Sequence, residues 1–188
     1  MSQSTSGFAP TSRGVAAENG TASRQAAETP RLTLDDLGML HADALAGVYA
    51  KGTTPDLRDL DGSPRGRMLA FAGPLGQGRA FDGLRRLAES RRFPWAGKSF
   101  SSVSSERGKG INRVRGLGDW CRFETSVGPS AIDGKPCVIL DYDVSPNPWF
   151  IRQIHDELRQ VGPRLYLGPA MWKARPKPRL VLFFAIAT

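Results

Sequence analysis

The sequence predicts a mainly β (α+β) domain, a small antiparallel β-barrel with two or three flanking helices. From Trp95 onward the apolar residues recur with a period of two, in short runs separated by glycine-bearing turns. Close spacing of this kind marks a meander. The last run, Arg179 to Ala187, is apolar on both faces. Leu180, Leu182, Phe184 and Ile186 form one face, and Val181, Phe183 and Ala185 the other. Such a strand fits a barrel wall with one side toward the interior and the other beneath a helix.

At 188 residues the chain suits one domain with its own core. Hydrophobic residues make up 40% and charged residues 23%, ordinary values for a globular protein. Residues 1–31 do not fit that average. Between Met1 and Pro30, Ser, Thr, Ala and Gly dominate, and Phe8 and Val15 are the only large apolar side chains besides Met1. The reading is therefore a disordered tail over 1–31 and a barrel domain over 32–188. The tail has no apolar run of the secretory type. The longest apolar stretch, Leu180 to Ala187, is far short of the ~20 residues of a membrane span. The expected compartment is the cytoplasm. Cys121 and Cys137 match no zinc or redox spacing and read as small buried hydrophobes, with a disulfide between neighbouring strands as the alternative.

Along the domain, Thr33 followed by Asp36 reads as a capping box. Leu34, Leu37, Leu40, Ala44 and Leu45 then extend an amphipathic helix to about Val48. A turn-rich link runs from Lys51 to Pro64, and Arg65 to Ala72 reads as a strand ended by Gly73-Pro74. A second helix is predicted over Arg79 to Arg92, with Phe81, Leu84, Leu87 and Ala88 as its apolar stripe. Four strands follow: Trp95–Ser104, Gly110–Arg115, Asp119–Val127 and Pro136–Asp143. Asn147-Pro148 reads as the start of a third helix, carried to Val161 by Ile151, Ile154, Leu158 and Val161 and stopped by Gly162-Pro163. Strands Arg164–Lys173 and Arg179–Ala187 close the chain around the Pro176-Lys177-Pro178 turn.

From Trp95 to the C-terminus the order of elements resembles bacterial lipocalin-like barrels named for a GXWXG signature. Trp95-Ala96-Gly97-Lys98-Ser99-Phe100 stands at the tryptophan strand, with Phe93 in place of the first glycine. Leu140-Asp141-Tyr142-Asp143, a helix through Ile151-Arg152, and Tyr166-Leu167-Gly168 follow in the family's order. The resemblance covers about half the chain. It implies a lipocalin-like barrel holding a small apolar molecule, and fold analogy leaves activity open.

The chemical motifs are sparse. No nucleophile elbow, dinucleotide loop or P-loop is present. Gly73 to Gly78 could seat an anion before a helix, but reads better as a connecting loop. With only His41 and His155, a zinc site of His₃ or His₂-carboxylate type is nearly excluded, and no metal or cofactor is expected. A single axial haem ligand at His155 is the minor alternative. His155-Asp156-Glu157 reads as a polar helix face with Asp156 and Arg159 paired. The meander strands separate into two faces. Cys121, Phe123, Thr125 and Val127 lie opposite Trp120, Arg122 and Glu124, while Val138, Leu140 and Tyr142 lie opposite Cys137, Ile139, Asp141 and Asp143. In one reading Arg113, Arg115, Arg122 and Glu124 are the solvated outside of the barrel. In the other, Trp120 and Arg122 point inside beside Tyr142 or Asp141, at the base of an apolar cavity. Trp95, Trp120, Trp149 and Trp172 are dispersed over several elements, as core packing or as cavity lining.

Three functional classes remain, in this order. The first is a binding barrel for a small hydrophobic or amphipathic molecule, an acidic one included. Its ligand-binding candidates are Trp95, Lys98, Asn112, Trp120, Arg122, Tyr166 and Trp172, with Arg122 or Lys98 meeting an acidic group. The second is a cofactor-free isomerase, cyclase or dehydratase in the same cavity, with Asp141, Tyr142 or His155 as acid or base. The third is an anionic-partner or nucleic-acid module, suggested by the net charge of +8. Nucleic acid ranks last because the arginines are dispersed and the Arg79–Arg92 segment lacks interleaved aromatics.

Overall fold

The computed structural model describes residues 31–72, 95–116 and 118–188. The tail, the Gly73–Gly78 loop and the predicted Arg79–Arg92 helix lie outside them. Eight strands in chain order close into one antiparallel barrel, each paired with its neighbours and β1 paired with β8. They are β1 Arg65–Phe71, β2 Trp95–Ser102, β3 Arg107–Val114, β4 Gly118–Pro129, β5 Pro136–Asp141, β6 Ile154–Gly162, β7 Leu165–Trp172 and β8 Arg179–Ala187.

Apolar side chains line the barrel from within and coat part of its outside. Phe100, Phe123, Val138, Leu140, Leu158 and Phe184 belong to the interior cluster. Leu57 and Leu60 join it from a 3-10 turn, Leu57–Leu60, which closes one end of the barrel. The turn is held there by backbone bonds from Leu57 to Ser105 and between Gly62 and Phe100. The outer cluster forms where α1, Leu34–Gly38, and α2, Ala42–Lys51, lie on the wall. It brings Leu37, Leu45 and Tyr49 against Leu69, Leu167 and Phe183. From Phe183 on, strand β8 is buried on both sides, Phe184 and Ile186 inward and Phe183 and Ala185 under the helices, whereas Val181 on the outer face is exposed. The Thr33 capping box is formed, with Thr33 and Asp36 bonding each other's backbone N–H. The predicted long helix is in fact two, since the chain turns at Met39–His41.

The third predicted helix is not a helix. After a 3-10 turn, Ile151–Gln153, the chain enters β6, hydrogen-bonded to β5 and β7. The Ile151, Ile154, Leu158, Val161 stripe imitates a helical period because it mixes the two sides of a strand. Ile154 and Leu158 pack in the interior, whereas Val161 packs in the outer cluster. The outward residues Glu157 and Arg159 are charged yet buried, at 0% and 1% exposure, so no polar-out alternation marks the strand. Glu157 accepts from Tyr49 Oη, Ser130 Oγ and the Ala131 N–H, each at 2.6 Å. Arg159 makes a bidentate pair with Asp133 at 2.7 and 2.9 Å and lies over the Tyr49 ring. This network ties α2 and the β4–β5 turn to β6. Asn147 does not cap a helix. Its amide group bonds the backbone of Arg122 and Tyr142 and fastens the β5–β6 loop to β4.

Candidate functional site

Toward the end of the barrel opposite the Leu57–Leu60 turn, the described side chains do not fill the interior. A cavity of about 380 Å³ remains, equivalent to roughly a dozen waters of liquid volume. Its wall is mostly apolar, including Trp95, Ile154, Ala170, Leu182 and Phe184. The polar part consists of Lys98, Asn112, Tyr142 and Asp156, side chains from β2, β3, the residue after β5, and β6.

Register explains how they meet. Lys98 stands opposite Asn112 across the β2–β3 ladder, so both point inward. On β4 a bulge intervenes: Ile111 pairs with Arg122, but Asn112 pairs with Trp120. Cys121 is the extra residue, in left-handed backbone at φ 59°, a conformation that favours glycine. The bulge reverses the alternation, so Trp120 faces the cavity mouth while Arg122 faces out. Without it the two would share a face, as the sequence pattern implies.

Lys98 is 3% exposed, with its ammonium donating to Asn112 Oδ1 at 2.9 Å, Tyr142 Oη at 2.6 Å and Asp156 Oδ2 at 2.9 Å. The rings of Trp95, Phe123, Tyr142 and Phe184 surround it with centroids 4.8 to 5.5 Å away. Burial pushes this lysine below its usual range, against the opposing pull of the Asp156 charge. Burial, reinforced by the Asp156 charge, raises the Tyr142 phenol well above its usual value, so it stays protonated. It donates to Asp156 Oδ2 at 2.9 Å. Asn112 is aligned by Trp95 Nε1 at 2.9 Å, and it donates to Tyr142 Oη and the Cys121 carbonyl. Cys121 and Cys137 are free and buried. Burial pushes the Cys121 thiol up to about 11, which makes it a poor nucleophile.

Asp156 completes the cluster and leaves it open. The residue is 3% exposed; Oδ2 takes two hydrogen bonds, and Oδ1 has no partner among the described residues. A buried acceptor left unmade costs about 1–3 kcal/mol. A buried ion pair is also a weak source of net stability, since well-packed apolar residues often do as well. A costly polar cluster with one unused acceptor on the wall of an apolar cavity has the layout of a ligand site.

Of the residues that the sequence singles out, Trp95, Lys98, Asn112, Trp120 and Tyr142 come together on this cavity. Tyr166 lies in the barrel interior nearer the closed end, donating to the Asp59 carbonyl at 3.4 Å, away from the cavity lining. Trp172 pairs with Ile154 at the rim of that end and is 39% exposed, outside the lining. Arg122 is on the outer face, in a groove of about 450 Å³ with Lys109 and Glu124. Asp141 is exposed and paired with Lys173 at 2.8 Å. His155 registers with Asp141 on the outside and bonds Glu157 at 3.2 Å. Asp156 and Arg159 point to opposite sides of β6 and do not pair, Arg159 bonding Asp133 instead. The sequence reading missed Asp156, whose signal is the inward alternation Ile154, Asp156, Leu158.

An eight-stranded antiparallel barrel enclosing this cluster is the class of protein that the fold and site define. No protein-family model matches the chain, and no curated protein matches it. Among solved structures it is similar to a crystal structure of a protein from Thermomonospora curvata. That protein is 16% identical, with a TM-score of 0.44 over 79% of this chain and 87% of the other. No helix among the described residues is long and apolar enough to cross a membrane.

Proposed function

We propose that the barrel binds a small amphipathic molecule, its apolar body in the cavity and a hydroxyl or amine donating to Asp156 Oδ1. The unpartnered, buried carboxylate oxygen on an apolar wall carries this reading. It also selects among head groups. Lys98 is already matched by Asp156, and the open atom is itself an acceptor, so an acidic head group is disfavoured. Arg122, on the outer face, does not serve such a group. The GXWXG-type lipocalin-like resemblance belongs to this proposal, and the position of Trp95 and Lys98 on the cavity wall supports it.

Tryptophan emission provides the test, because Trp95 and Trp120 both line the cavity. Titration with 1-octanol should change the emission saturably, with tighter binding than 2-octanone and much tighter than octanoate. Asp156→Asn turns an acceptor into a side chain able to donate, so 1-octanol should weaken at least fivefold and 2-octanone should gain. A linear, non-saturating response to all three compounds would sink the proposal, as would an Asn variant with an unchanged preference.

A further inference from the structure

The two ends of the barrel carry different surfaces. Among the described residues, one end carries the β3–β4 turn, the loop from Tyr142 to Gln153 and the β7–β8 turn. Among the described residues, the exposed aromatic side chains are Trp120, Trp149, Phe150 and Trp172, at 45%, 73%, 42% and 39% exposure. All four belong to this end. They are joined structurally: Trp149 and Phe150 stack edge-on at 6.1 Å on the loop that Asn147 fastens to β4, and Trp172 registers with Ile154 where that loop ends. Beside them the β7–β8 turn and the first residue of β8 hold Arg175, Lys177 and Arg179, all exposed, in a stretch without a carboxylate. Of the exposed carboxylates at this end among the described residues, Asp141 is paired with Lys173 and Asp143 with Arg152, leaving Asp119 at the start of β4. The opposite end has no exposed aromatic among the described residues, and it mixes Glu106, Arg107, Asp133 and Lys135.

We infer that the aromatic, basic end of the barrel docks on an anionic lipid bilayer. Tryptophan rings settle at the headgroup level, where the apolar ring body and the polar N–H are both satisfied. Cations in the same plane are drawn to anionic lipid. The combination also suits single-stranded nucleic acid, but that partner needs a groove that tracks a phosphate backbone. Here the aromatic and basic residues project from separate turns around one end of a closed barrel, which fits a plane better than a strand. The cavity wall reaches the same end through Trp120, Val114 and Ile154, so docking would bring its mouth to an apolar phase. This inference stands on the surface and not on the ligand reading; either can fail alone.

Vesicle co-sedimentation of the full chain tests it. The protein should pellet with phosphatidylcholine vesicles containing phosphatidylserine, far less with phosphatidylcholine alone, and less as salt is raised. Each cation near such a surface is worth about a fivefold change in partitioning, so Arg175→Glu with Lys177→Glu should weaken binding more than tenfold. Trp149→Ala should weaken it several-fold and lessen the blue shift of tryptophan emission on binding. Arg107→Glu, an exposed charge reversal at the opposite end, should have little effect. All of these sites are exposed, and near-ultraviolet circular dichroism checks that each variant is folded. The inference is overturned if anionic vesicles do not pellet the protein, or if Arg107→Glu weakens binding as much as the double reversal. Tight oligonucleotide binding, sensitive to the same substitutions and without vesicle binding, would overturn it in favour of nucleic acid.

Discussion

Lys98 and Asp156 are held by each other, by two neighbouring polar groups and by four rings, inside a barrel that is otherwise apolar. Neither residue can be removed alone without leaving a buried charge. Asp156→Leu should therefore destabilise the protein by about 3–5 kcal/mol in urea denaturation. Adding Lys98→Met should restore most of that loss while octanol binding stays abolished. If the double variant is no more stable than the single one, the pair does not act as a unit. Most of the cluster was legible at this scale: Lys98 and Asn112 lie in strands, and Tyr142 directly follows one, whose alternation the sequence displays. Asp156 was not, because its neighbours Glu157 and Arg159 are charged while buried, which hides the inward phase of β6.

At the scale of elements, β6 and its contacts decide whether the wall closes. A Cβ on Gly168 of β7 would overlap the carbonyl oxygen of Glu157 on β6. Gly168→Ala should force these strands apart and cost about 1–3 kcal/mol, read as a lowered Tm. The outer network on β6 also sets a pH dependence. Burial raises the Glu157 pKa, but hydrogen bonds from His155, Ser130, Tyr49 and the Ala131 N–H outweigh it and hold the group below its usual range. Asp133 is lowered to about 2, chiefly by its hydrogen bonds from Arg159. A carboxylate lowered on folding contributes stability above its unfolded pKa and loses that contribution as pH falls through the folded value. Unfolding free energy should thus be level above about pH 5 and fall below about pH 4. Glu157→Gln should make that fall shallower; an unchanged acid slope would show that the network is not its source. The helix expected over Asn147–Val161 failed at this scale. A stripe of four apolar residues cannot distinguish one helical face from two strand faces when both sides of the strand are buried.

Across the whole molecule, closure of the barrel was the most legible feature. Two-sided burial of β8 and the short turns of the meander each imply it. The ends of the barrel were less legible, since what separates one end from the other depends on where turns project. The Leu57–Leu60 turn fills one end, and the exposed tryptophans crowd the other. Between them lies the unfilled volume on which the functional proposal rests, and its occupancy can be located directly. Isotope-filtered nuclear Overhauser contacts between labelled protein and 1-octanol would do so. The proposal predicts contacts from the octanol chain to the methyl groups of Ile154, Ala170 and Leu182, with the carbinol end nearest Asp156. Contacts confined to the outer helices, or a set unchanged by Asp156→Asn, would contradict it.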